Sequence, residues 1–352
     1  MPDGDILVLC GNEAQALLEG REREIMRTVR AAYIAHALGE SSLPHSTFLN
    51  FPNEQRNRII ALPAYLGNEF SVAGVKWISS FPNNLSRGMD RASAVVILNS
   101  LETGRPEAIL EGSVISAKRT AASAALAALA LADGEKLAGV TMVGCGLINF
   151  EIARFLKAAC PPLKKLYLFD LSSERAAEFK ENCEATFESV TAEVVADLLD
   201  ALGRAPVISL ATTAVKPHIS SLSACAPGSV ILHISLRDLT PEVILDCDNI
   251  VDDVEHVCRA QTSIHLAEQL TSGRGFIRCA LVDILTGVSP ARKDKESISV
   301  FSPFGLGVLD LAVAKLVRDL GVEQERGAVI KSFIPESWGN KESANPRAQE
   351  YF

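Results

Sequence analysis

The stretch Gly139-Val140-Thr141-Met142-Val143-Gly144-Cys145-Gly146-Leu147-Ile148-Asn149 restricts the fold more than any other part of this 352-residue chain. Residues suited to a buried strand, Gly139 to Val143, run into a glycine pair, and a helical pattern from Ile148 to Ala159 begins at once. Gly144 permits a tight turn. Gly146 lets the backbone approach a pyrophosphate, whose charge is favoured at the N-terminus of the following helix. Cys145, Leu147 and Ile148 complete the turn that such a group would contact. The third position of this fingerprint usually holds a small residue, and Asn149 departs from that pattern. Asp170 ends the next strand, Lys165 to Phe169, 26 residues beyond Gly144. A carboxylate there accepts hydrogen bonds from ribose hydroxyls and repels a 2′-phosphate, so the sequence predicts NAD as cofactor. Arg175 is the one residue nearby of the type that favours NADP.

The rhythm around this motif is strand, helix, strand, helix. The helix Ser172 to Glu184 follows Asp170, and Pro206 to Leu210, Ser229 to Ile234 and Asn249 to Val251 read as further buried strands. That alternation predicts a doubly wound parallel sheet of the Rossmann type. The earlier part of the chain has another texture. A helical pattern spans Asn12 to Leu38, followed by short β-branched runs at Arg58 to Leu62, Val72 to Ile78, Ala94 to Leu98 and Glu107 to Leu110. Pro63, Gly67-Asn68, Pro82-Asn83-Asn84 and Thr103 to Pro106 stand between them as turn signals. Strands that follow strands predict a mainly antiparallel sheet in an α+β unit. An alanine-rich helix from Ser113 to about Ala132 leads from one texture to the other. The strand-like Ser297 to Ser302 precedes a last helix, Leu306 to Leu320, and a polar tail from Ser332 containing Pro335, Gly339 and Pro346.

Hydrophobic residues form 48% and charged residues 22% of the chain, enough for a packed core and too apolar for a disordered protein. The net charge of -9 argues against a nucleic-acid binder or a basic membrane-surface protein. Met1 to Asp5 lacks the positive charge that opens a secretory signal, and the apolar stretch Ala121 to Ala132 is shorter than a membrane span. The eight cysteines include no CxxC pair and the six histidines no HExxH. The expectation is a cytoplasmic protein without a metal.

Some residues stand out on chemistry alone. Lys76 interrupts Val72 to Ile78, a run otherwise suited to burial, where a cation is costly without an anionic partner. Asp238 follows the strand Ser229 to Ile234, at the carboxyl edge where doubly wound sheets place ligands. It could instead cap the helix near Pro241, although Thr240 is better placed for that. Thr212 and Thr213 end the strand Pro206 to Leu210 within reach of a cofactor. Cys145 lies at a helix start, where a thiolate is stabilised, but a small packing residue is the plainer reading. His233 reads as a satisfied core histidine and His218 as a surface-loop residue.

The runs Ile59-Ile60-Ala61-Leu62-Pro63, Gly74-Val75-Lys76-Trp77, Lys118-Arg119-Thr120-Ala121-Ala122, Val143-Gly144-Cys145-Gly146 and Phe304-Gly305 together resemble the ornithine cyclodeaminase/mu-crystallin family over nearly the whole chain. The resemblance implies a nicotinamide cofactor bound by residues 126–304. It also implies a substrate-binding and dimerisation domain of residues 1–125 with 305–352, pairing through its sheet as a homodimer. Lys76 and Arg119 match the family's substrate-carboxylate binders, Arg119 and Thr120 lie where it approaches cofactor phosphate, and Asp238 matches its acid/base aspartate. Asn57 to Pro63, Asp90-Arg91-Ala92-Ser93 and Ile97-Leu98-Asn99 are similar to a subgroup of dehydrogenases that make 2,3-diaminopropionate for siderophores and peptide antibiotics. That subgroup oxidises N-(1-amino-1-carboxy-2-ethyl)-glutamate by hydride transfer to NAD followed by imine hydrolysis. Its amino-acid substrate carries three carboxylates, and Arg58 and Arg91 become further candidate binders. Ketimine reduction, alanine dehydrogenation, ornithine cyclodeamination and non-catalytic dinucleotide binding are the family's alternatives. Cyclodeaminases carry a glutamate where this chain has Ile60, which disfavours cyclisation. Either Lys76 or Asp238 fits the proton-relay role.

Overall fold

A computed structural model describes residues 4–132 and 137–335. Two eight-stranded sheets organise them. The first runs in the order Ala328–Ile330, Ile6–Leu9, Pro106–Glu111, Ala92–Asn99, Val72–Ser80, Glu54–Leu66 and Ser41–Ser42, with Thr47–Phe51 also paired to Glu54–Leu66. Its neighbours are antiparallel except Ile6–Leu9 on Pro106–Glu111. Side chains alternate between faces as the pleat demands. In Val72–Ser80, residues Val72, Lys76 and Ser80 point inward and are buried, whereas Trp77 points outward and is 41% exposed.

The second sheet is wholly parallel, in the order Thr191–Val194, Lys165–Phe169, Gly139–Val143, Val207–Leu210, Val230–His233, Ser299–Ser302, Asp248–Val251 and Ile277–Ala280. The strand order reverses direction between Gly139–Val143 and Val207–Leu210. That is the topological switch point, where a crevice opens beyond the carboxyl ends of the strands. The inner strands Val207–Leu210, Val230–His233, Asp248–Val251 and Ser299–Ser302 are buried at every position, as strands covered on both faces must be.

The helix Ser113–Leu131 joins the two halves and packs on Glu22–Ala37, Leu147–Ala159 and Gly307–Glu323. Its alanines keep it thin enough to be surrounded. At 19 residues it has the length and composition of a membrane span, more than the sequence reading allowed, yet it is mostly buried inside the protein.

Several local expectations need correction. The pattern Asn12 to Leu38 forms two helices, Gly11–Leu18 and Glu22–Ala37, because Gly20 takes the left-handed conformation at φ +70° and turns the chain. Pro63 is no turn but sits inside Glu54–Leu66, paired with Val75. On the other side of that strand, pairing with Thr47–Phe51 stops at Ala61 and pairing with Ser41–Ser42 starts at Tyr65. The proline therefore occupies a gap where no ladder N–H is required. The strands Ile6–Leu9, Thr47–Phe51, Thr191–Val194, Ile277–Ala280 and Ala328–Ile330 add to those expected. Of the tail, Gly339 and Pro346 lie outside the described residues.

Candidate active site

The glycine turn is built as its chemistry requires. Gly144 has φ +92°, and a Cβ there would lie 2.6 Å from the Ala211 carbonyl oxygen, so only glycine fits. Gly146 caps the helix Leu147–Ala159, and a Cβ on it would meet nothing within 4 Å. Open space in front of unpaired helix N–H groups is the shape that admits a pyrophosphate. Asp170 Oδ2 accepts the Cys145 N–H at 2.8 Å and its Oδ1 the Ser172 N–H at 2.9 Å, which pins the next strand's end against the turn. Arg175 lies 3.8 Å from Asp170. These residues fit a dinucleotide.

Asn149, the departure from the fingerprint, now has a reason. Its Nδ2 donates to the carbonyls of Val143 at 3.0 Å and Gly144 at 2.7 Å, and its Oδ1 accepts from Ser209 at 2.7 Å. Fully buried, it stitches the turn to the adjacent strand, a task no alanine or glycine performs. The Cys145 thiol is buried and pushed up to about 12 by burial, with Asp170 adding to the shift, so it is a packing group. Leu147 is exposed beside the turn.

Beyond the carboxyl ends of the next two strands, Thr212 and Asp238 meet. Asp238 is fully buried, and the hydroxyls of Thr212 and Ser235 donate to its two carboxylate oxygens. His233 accepts the Asp238 backbone N–H at 3.2 Å through Nε2, which lies 3.5 Å from Oδ2, while its Nδ1 faces Ser302 at 3.2 Å. The core histidine is thus the support of Asp238. Burial raises the Asp238 carboxyl, but His233 and the hydroxyls of Ser235 and Thr212 outweigh it and hold the group below the usual carboxylate range. Thr240, not Asp238, caps Pro241–Leu245. Thr213 and His218 are exposed.

Lys76 and Arg119 come together on a residue the sequence reading did not single out. Asp310, fully buried in the first turn of Gly307–Glu323, accepts from Lys76 Nζ at 2.7 Å and from Arg119 Nε at 3.0 Å. Ser116 also accepts from Lys76, at 3.2 Å. The anionic partner that a buried Lys76 requires is therefore supplied by the protein itself. Two cations on one carboxylate leave one net positive charge for a ligand. Burial depresses the Lys76 ammonium to about 8; Asp310 opposes the shift and Arg119 adds to it. Burial raises the Asp310 carboxyl, but the two cations outweigh it and keep it low. A lone carboxylate in the apolar run Leu306 to Ala314 was the available signal.

The two sheets are tied together around this cluster. Asp252, just after Asp248–Val251, accepts the N–H groups of Phe304 at 2.9 Å and Gly305 at 2.7 Å. Gly305, at φ +93°, packs so closely on Arg119 that a Cβ would lie 2.9 Å from both terminal guanidinium nitrogens. Lys118 points the other way and meets Glu151 of the glycine-turn helix at 3.2 Å. Thr120 donates its hydroxyl to Ser116 within its own helix at 2.7 Å.

Arg58 and Arg91 stand further along the same face of the first sheet. Arg58 is paired in register with Ser80, and Arg91 donates to the Ser80 hydroxyl at 3.2 Å. Neither has a carboxylate within ion-pairing distance among the described residues.

Comparison with known proteins places this geometry. Over 335 residues the chain is 28% identical to an N-((2S)-2-amino-2-carboxyethyl)-L-glutamate dehydrogenase of Staphylococcus aureus, covering 94% of this chain and 97% of that protein. It is 27% identical to an alanine dehydrogenase of Archaeoglobus fulgidus, over 94% of this chain and 99% of the relative. A solved archaeal alanine dehydrogenase dimer with bound NAD superposes with a TM-score of 0.82 at 27% identity, over 93% of this chain and 99% of the other. The family model for ornithine cyclodeaminase/mu-crystallin proteins matches residues 13–325. With that match, a parallel sheet carrying the glycine turn and a second sheet presenting Lys76, the chain belongs to the ornithine cyclodeaminase/mu-crystallin family.

Proposed function

We propose that the protein is an NAD-dependent oxidoreductase that cleaves N-(1-amino-1-carboxy-2-ethyl)-glutamate to 2,3-diaminopropionate and 2-oxoglutarate. The observation that carries this reading is the surplus of cations in a chain of net charge -9: among the described residues Arg58 and Arg91 lack carboxylate partners, while Lys76 and Arg119 share the one carboxylate of Asp310. A substrate with three carboxylates matches that surplus; alanine or proline, with one, does not.

Gly144 to Asn149 would hold the dinucleotide, with Asp170 toward its ribose and Thr212 and Thr213 alongside. When bound, it supplies the oxidant that takes two electrons from the glutamyl Cα–H bond. Arg119, held rigid by Asp310, grips the adjacent carboxylate so that this bond is presented in one orientation, and Lys76 joins it once protonated. Arg58 and Arg91 take the remaining carboxylates, arginine being suited to bidentate contact. The secondary amine must be neutral to be oxidised, and Lys76, poised near 8, takes up its proton. Asp238, kept ionised, stabilises the positive iminium carbon and orients the water that adds to it. The carbinolamine then collapses to ketone and primary amine, with one water consumed and one proton released. Between the two candidates for general base, the depressed Lys76 is the better matched and Asp238 acts by its charge.

The outward face of the first sheet, with Trp77, Tyr65, Val75 and Ile97, is apolar and partly exposed, with Tyr65 at 39%. A second copy of the chain covers it in this reading, which is supported by the solved alanine dehydrogenase neighbour being a dimer.

The test is spectrophotometric. Purified protein with NAD and aminocarboxyethyl-glutamate should generate reduced nicotinamide together with equimolar 2-oxoglutarate. Turnover of alanine, proline or a cyclic ketimine alone would replace this reading with another of the family's activities.

A further inference from the structure

The Arg58–Arg91 pair has a third member from the other sheet. Arg237, the residue before Asp238, is desolvated, donates to the Ala260 carbonyl at 2.6 Å, and feels the like charge of Arg58, which the charge of Asp238 opposes. Arg91 feels the same charge. None of the three guanidiniums has a carboxylate within ion-pairing distance among the described residues, and the Arg58 Nε is buried without any hydrogen-bond partner. Three desolvated cations, two of them facing the charge of Arg58, are unfavourable unless an anion joins them.

The cluster stands apart from the Lys76–Arg119 group, on the same face of the first sheet. Lys76 and Ser80 lie on one face of one strand, four residues apart, which is about 13 Å along it. The Lys76–Asp310–Arg119 group is at one end of that span. At the other, Ser80 carries Arg91 and pairs with Arg58. Arg237 approaches from the edge of the parallel sheet that also presents Asp238.

We infer that Arg58, Arg91 and Arg237 form a second anion subsite, assembled across the two sheets, that binds the distal carboxylate of a dicarboxylic amino-acid skeleton and so selects glutamyl-type substrates over monocarboxylic ones. This deepens the proposed function by adding Arg237 as a specificity-determining residue, and it rests on reading the cleft as the substrate site. Because Arg237 and Asp238 are consecutive, occupation of the subsite also fixes the loop that positions Asp238.

Binding of two simple probes tests this without requiring turnover. With NAD present at saturation, glutarate and butyrate affinities are measured by calorimetry on the wild type and on Arg237→Gln, Arg237→Lys and Arg91→Gln. The wild type should prefer glutarate, and Arg237→Gln should lower the glutarate-to-butyrate ratio roughly ten- to hundredfold, the effect of one charge-assisted contact. Arg237→Lys should recover part of it. Should Arg237→Gln fail to fold, Arg91→Gln carries the same expectation. A ratio unchanged in a folded variant would overturn the subsite, even if the wild type oxidises aminocarboxyethyl-glutamate. A ratio lost as expected supports the subsite even if that substrate is not turned over, in which case only the proposed reaction fails.

Discussion

Lys76 Nζ lies 2.7 Å from Asp310 Oδ2 although 234 residues separate them in the chain. The contact joins an inner strand of the first sheet to the first turn of the last helix, and Arg119 enters the same carboxylate from a third element. Removing Asp310 leaves two buried cations facing each other. Asp310→Ala should therefore destabilise the fold by about 3–5 kcal/mol in urea unfolding, as breaking a buried ion pair does. Asp310→Asn, which keeps the shape, should also abolish turnover. Stability equal to wild type in both variants would show that the cluster does not hold these elements together.

The Lys76 ammonium, depressed to about 8 by burial, sets a pH dependence. If it takes up the substrate amine's proton, log kcat/KM rises with pH and levels near 8. Lys76→Arg, which stays protonated, should lose activity and this limb together. Stability follows the same linkage. The folded pKa lies below the ordinary lysine value, so the unfolded chain binds the proton more tightly, and stability increases as pH rises from about 8 toward 10.5. Lys76→Met should flatten that rise in unfolding curves measured across the window.

The two glycines of the turn should separate folding from cofactor binding. Gly144→Ala forces a Cβ within 2.6 Å of the Ala211 carbonyl at a backbone angle of φ +92°, and both its melting temperature and its NAD affinity should fall. Gly146→Ala meets only open space, so it should melt like the wild type while losing at least tenfold in NAD affinity, because the methyl fills the place of the pyrophosphate. Calorimetric titration with NAD reads the binding, and equal affinities for Gly146→Ala and wild type would place the dinucleotide elsewhere.

Trp77, 41% exposed in the middle of the outward apolar face, tests the proposed dimer. Light scattering at micromolar concentration should give twice the chain mass for the wild type and one chain mass for Trp77→Asp. A wild-type monomer at that concentration would remove the proposal.

Much of this architecture was legible in the residue pattern. The strand, glycine turn and helix around Gly144 read directly, because a tight turn and a buried strand each demand particular residue types within a few positions. Asp238 at the end of its strand, His233 in the core and Lys76 in an apolar run were visible for the same reason. The break at Gly20 and the in-strand Pro63 were not: whether a glycine bends a helix or a proline is tolerated in a sheet depends on what lies beside it, and Pro63 is permitted by a gap between two partner strands.

What the sequence determined by itself was the local code: a parallel α/β half with a dinucleotide turn, a mainly antiparallel half, and a set of basic residues too many for a chain so acidic to leave unexplained. Only the tertiary structure decided how those charges are shared. Asp310 claims Lys76 and Arg119, hydroxyls and His233 keep Asp238 ionised, Asn149 turns an apparent defect into a brace, and Arg58, Arg91 and Arg237 are left without a carboxylate in ion-pairing distance among the described residues. The physical reason is that a charge's state depends on distances of 3 to 4 Å and on exclusion of water, and both are set by residues hundreds of positions away in the chain.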